Sequence, residues 1–141
     1  MRYMIVAVCG VIIGMLWCGA GYATTYSIPQ DKIDSQKIFF GGGAAFNNPG
    51  EIDYDTAIRA TPEFEEVQNK KMEPGTGKYW ILLSQASDRV VKAISEVGQE
   101  GGYDLIAAQS YLGNLDPAIP SDNITQLIID KIVGRDGFSK K

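Results

Sequence analysis

The stretch from Thr61 to Val91, TPEFEEVQNKKMEPGTGKYWILLSQASDRVV, constrains this chain more than any other. Thr61-Pro62 is a helix start, because Thr is a good N-cap and Pro is favoured at the first helical position. Glu63, Glu65 and Glu66 follow in the first turns, where the helix dipole favours negative charge, and Lys70 and Lys71 sit at the other end. Then Glu73-Pro74-Gly75-Thr76-Gly77 breaks the pattern. Pro cannot continue a helix interior, and Gly takes the positive φ that a reversal needs. The reading is a helical hairpin, with a first helix from Pro62 to about Met72 and a second from about Lys78 to Glu100, stopped by Gly101-Gly102.

The second helix carries an unusually broad apolar face. Trp80, Leu83, Ser87, Val90, Ile94 and Val97 follow a 3-4-3-4-3 spacing, the seam of a coiled coil. Tyr79, Leu82, Ala86 and Ala93 widen it into a second stripe. A helix apolar on two sides calls for two partners, such as its own sheet and a neighbouring subunit; one wide core face in a monomer has the same spacing. Val90, Ile94 and Val97 are therefore expected in an oligomer seam or in the core.

Elements on either side complete an α+β pattern. EIDY, from Glu51, alternates as a short strand and DTAIRA makes a helical turn. Tyr103 to Ala108 reads as a strand, GNLDPAIP as a loop, and Asp122 or Asn123 caps a last helix with Ile124, Leu127, Ile128 and Ile132 on one face. Gly134 is expected to end it, leaving residues 135–141 as a frayed tail.

The N-terminus reads differently. Arg2 precedes the apolar run IVAVCGVIIGMLW, and small residues follow to Ala23, the pattern of a secretory signal peptide cut after Ala23. An uncleaved membrane anchor over Met4 to Ala23 is the alternative, and bulky Trp17 before Cys18 argues against a lipoprotein. Residues 24–50 read as a flexible leader or linker, with a short strand at Lys37 to Phe40, because Pro29, Gly41 to Gly43, Asn47, Asn48 and Pro49 break regular periodicity.

Composition narrows the chemistry. Both cysteines, Cys9 and Cys18, fall inside the signal segment, and the chain has no histidine. Disulfides, thiol nucleophiles, histidine bases and Cys- or His-ligated metals are excluded for a chain cut after Ala23, and no cofactor or metal is expected. A formal net charge of −4 argues against nucleic acid as a partner. The triple glycine lacks the Lys-Ser/Thr of a phosphate loop. Asp53 and Asp55, on one face of a strand, could do acid/base work, but solvation or helix capping explains them better. Asp104 has no visible partner, and Ser84 and Ser87 have no base nearby. Tyr79 and Trp80 read as core or as an aromatic ligand patch. Nothing specifies an active site, and the chain is read as non-enzymatic.

IDYDTAIRATPEF, AISEVGQEGGYDLIAA and DNITQLIIDKIV follow one another in an order that resembles the Skp/OmpH family of periplasmic outer-membrane-protein chaperones, as a short-hairpin variant, over about residues 51–133. The resemblance implies a homotrimer on a small β-containing body, with helical hairpins that hold unfolded or outer-membrane polypeptides without ATP. It implies a periplasmic location, or attachment to the inner membrane if the signal segment stays. The implied client surface is Phe64, Val67, Met72, Tyr79, Trp80 and Leu83. The first arm is short, roughly 17 Å at about 1.5 Å per residue. Expected function is thus chaperone-like binding during envelope assembly. The alternative is a structural or interaction module whose oligomeric body docks one defined envelope partner, and the third class is a cell-wall enzyme using Asp53 or Asp55.

Overall fold

The computed structural model describes residues 24–137, without the side chains of 135–137. The expected signal segment, 1–23, and the end of the expected tail, 138–141, lie outside the described residues. The fold is α+β: a mixed four-stranded sheet and four helices. After a 3-10 turn at Gln30–Lys32 come β1 (Ile38–Gly41), β2 (Pro49–Ile52), α1 (Tyr54–Arg59), α2 (Pro62–Asn69), α3 (Gly77–Gly101), β3 (Leu105–Ala108), β4 (Asp122–Asn123) and α4 (Thr125–Gly137). α4 thus runs past Gly134, through part of the expected tail.

Local chemistry sets the helix ends. Thr61 is buried and caps α2: its hydroxyl accepts from the Phe64 N–H at 3.3 Å and donates to the Ile58 carbonyl at 2.6 Å, tying α1 to α2. Thr76 caps α3 by accepting from the Tyr79 N–H at 3.3 Å. Gly102 closes α3 in the left-handed conformation (φ 68°), its N–H donating to the Gly98 carbonyl.

Strand order is β1-β3-β2-β4. β1 is antiparallel to β3, while β2 runs parallel to both β3 and β4. Central β3 has the sequence LIAA, apolar throughout, because both of its faces are covered. Ile106 faces the helices and packs with Ile52, Val90, Ile94 and Ile128. Leu105 and Ala107 point to the opposite face, against Ile28, Phe46, Leu112 and Ile119. Each fully buried aliphatic side chain here contributes roughly 1.5–3 kcal/mol.

That second layer corrects the reading of residues 24–50 as a flexible leader. Ile28 and Phe46 are buried, Tyr26 and Phe46 exchange backbone hydrogen bonds of 2.7 and 3.0 Å, and β1 pairs with β3. Gly41 is no loose joint either. Its φ is +78°, and a Cβ there would lie 1.9 Å from the Asp104 carbonyl oxygen, so only glycine lets β1 end against β3.

The register of β1 on β3 shifts between Ile38 and Phe40, which leaves Phe39 as an extra residue. This bulge breaks the strict alternation of a strand. Ile38 joins the far layer, whereas Phe39 and Phe40 both pack on the helical side. Phe40 lies where a Cβ on Gly98 would come within 2.8 Å of its ring, so the glycine lets α3 approach β1.

Candidate functional site

A groove of about 470 Å³ opens between α1 and the first half of α3. Tyr54, Asp55 and Ile58 of α1 form one wall; Trp80, Leu83, Ser84 and Ser87 of α3 form the other. α1 is only six residues long and covers a short length of the 25-residue α3. Trp80 is left 56% exposed at the groove and its neighbour Ile81 59% exposed.

Two contacts fix the walls. The Tyr54 ring stacks on Phe39 at 5.0 Å between centroids and 14° between planes. The Tyr54 hydroxyl and Ser87 Oγ share a hydrogen bond of 2.6 Å. Trp80 meets Tyr79 edge to face at 5.2 Å. On the far side of α3, Arg89 holds Glu63 of α2 with its Nε at 3.0 Å from both carboxylate oxygens and one terminal nitrogen at 2.6 Å. This pair ties α2 to α3 away from the groove lining.

Of the expected client residues, the structure brings Trp80 and Leu83 into the groove. Phe64 is half-buried against the helix-side core, and Val67 is buried. Met72 and Tyr79 are half-buried outside the groove lining. Val90, Ile94 and Val97 are buried within the chain's own core, so the seam reading resolves to core for these three. The long seam therefore divides: its second half is internal, and its first half borders the groove. Tyr54 and Ile58 were missed as site residues; their i, i+4 spacing in YDTAIR was the available signal.

The acidic residues separate by role. Asp53 and Asp55 do not form a same-face pair, because a helix starts between them. Asp53 caps α1, accepting from the Thr56 hydroxyl at 2.6 Å and the Thr56 N–H at 3.2 Å. These bonds, the hydroxyl's first, hold its carboxyl below the usual aspartate range. Asp55 lines the groove. Asp104 accepts from the Asn47 N–H at 2.9 Å, a partner 57 residues away. Glu51 was not singled out, yet its carboxylate accepts from the N–H groups of Ser110 (3.2 Å) and Leu112 (3.1 Å), pinning the loop after β3. Ser87 is engaged with Tyr54, and the chain has no histidine to activate either groove serine.

No family model matches the chain, and no solved structure matches it. Among curated proteins the chain is similar to the delta subunit of the mitochondrial ATP synthase F(1) complex of Dictyostelium discoideum, 30% identical over 73 residues. That similarity covers 52% of this chain and 42% of that protein, so the chain spans under half the length of the curated relative it matches. This finding overturns the Skp/OmpH resemblance, and with it the chaperone and periplasm descriptors attached to that family. The order that carried the resemblance consists of a Thr-Pro cap, a Pro-Gly reversal, a short apolar strand and an Asx-capped helix. Each is a general solution to starting or ending an element, and their succession does not specify a family.

Proposed function

We propose that this protein is a non-catalytic interaction module whose groove between α1 and α3 receives a segment of a partner polypeptide. One observation carries the reading: Trp80, more than half exposed, stands at an apolar-walled groove whose tyrosine and serine are held in place by each other. Exposed aromatic side chains beside a preformed cleft are the common anchors of protein–protein contacts. The similarity to a subunit of a multi-subunit complex is consistent with a role in assembly.

The test compares the parent chain with Trp80→Ala, each purified from its native cells by size exclusion. A discrete partner should accompany the parent and be absent from the variant, while the thermal midpoints of the two agree. A variant that retains the partner, or a parent that elutes alone, overturns the reading.

A further inference from the structure

We infer that the groove's partner is a basic amphipathic helix, which lays its apolar face on Trp80 and Leu83 and directs a lysine or arginine to Asp55. This rests on the reading of the groove as a polypeptide-docking site. The shape argues for a helix. Trp80, Ser84, Ser87 and Val91 are spaced 4-3-4 along α3 and so form one straight strip on its surface, with Val91 exposed at the end away from Trp80. From Trp80 to Val91, which lies beyond the groove lining, the strip spans eleven residue steps and extends roughly 16 Å, the length of about three turns of a partner helix.

The charge argues for a basic one. Asp55 is the charged member of the groove lining. Among the described residues, no side chain pairs with its exposed carboxylate. Arg59, four residues on in α1, makes no ion pair with Asp55; it lines a separate groove with Phe64 and Gln68 and acts electrostatically on Asp53, while Lys78 at the start of α3 lies 3.7 Å from Glu66. The chain as a whole is acidic, with a formal net charge of −4, which adds attraction for a cationic partner at long range. Complementary charge at an interface sets which partner is accepted.

The test uses the full chain and two fluorescently labelled synthetic helices of equal length, one of leucine and lysine, the other of leucine and glutamate. Binding is read by anisotropy for the parent, Asp55→Lys, Asp55→Asn, Trp80→Ala and Asp88→Lys, the last being the same charge change outside the groove. The parent should prefer the lysine helix by about tenfold or more. Asp55→Asn should lose most of that preference, Asp55→Lys should reverse it, and Asp88→Lys should leave it nearly intact. A parent without preference, or an Asp88→Lys shift as large as that of Asp55→Lys, overturns the basic-partner inference. So does a dimer or higher multiple by light scattering that Trp80→Ala dissolves, since the occupant would then be a second copy. If Trp80→Ala weakens both helices equally and neither is preferred, the docking reading stands and the basic partner falls. If Trp80→Ala changes nothing, the docking reading itself fails.

Discussion

The Tyr54 hydroxyl and Ser87 Oγ, 33 residues apart in sequence, lie 2.6 Å apart at the groove, joining the first turn of α1 to α3. Tyr54→Phe leaves the Ser87 hydroxyl without this partner and should cost roughly 0.5–1.5 kcal/mol, measured by urea unfolding. Ser87→Ala should cost a similar amount. The double variant should cost less than the two singles added, because each removes the same bond.

Glycine positions should differ in severity according to what the added carbon meets. A Cβ on Gly98 would lie 2.8 Å from the Phe40 ring, which is a side chain and can shift. Gly98→Ala should therefore lose about 1–2 kcal/mol despite alanine's better helix propensity, and Phe40→Leu in the same chain should offset part of that loss. At Gly41 the clash is with the Asp104 backbone at 1.9 Å, on a residue already at φ +78°. Gly41→Ala should lose more than Gly98→Ala and should gain nothing from Phe40→Leu. Chemical denaturation of the four chains checks both.

The bidentate grip of Arg89 on Glu63 joins α2 to α3 in a partly buried setting. Arg89→Lys keeps the charge and loses the planar fork, so it is not conservative here. Glu63→Gln should cost about 1.5–3 kcal/mol, in the range of hydrogen bonds to charged groups. Arg89→Lys should fall between the parent and Glu63→Gln in a thermal melt, and high salt should narrow the gap only slightly.

Acid stability should depend on Asp53. Its folded pKa lies below its unfolded value, first through the Thr56 hydroxyl and then the Thr56 N–H. The ionised cap is thus fully stabilising above the unfolded value, and its contribution is lost as pH falls through the folded one, below about pH 4. Glu66, held low chiefly by its hydrogen bond from Lys70, acts with the same sign. Asp53→Asn keeps a capping oxygen without the titration. Its midpoint should fall less than the parent's between pH 5 and pH 3, and identical slopes would contradict the assignment.

Much of the helical layer was legible because its signals are local. Thr61-Pro62, the Pro74-Gly75 reversal and Gly102 each act within a few residues, and α2 and α3 begin and end near them. The second layer was not legible, because its bonds span long separations. Tyr111 donates to the Lys32 carbonyl at 2.6 Å and accepts from the Asp34 N–H at 2.9 Å, fastening the N-terminal segment to the loop after β3. The bulge at Phe39 hid the facing of β1, since two adjacent phenylalanines on one side match no strand period. Periodicity in α3 marked an apolar surface correctly but did not say which part the chain covers itself. Coverage ends where the short α1 does, a tertiary fact that decides why Val90 is core and Trp80 is groove.

The account's central claim, that a polypeptide occupies the groove, is tested most directly by site-specific photocrosslinking in native cells. A photoreactive phenylalanine analogue placed at Trp80 should yield a discrete crosslinked partner, while the same group at exposed Lys92, outside the groove lining, should not. Adding Leu83→Asp to the Trp80 probe should abolish the product. Equal products from positions 80 and 92, or a product at 80 that survives Leu83→Asp, would contradict the claim.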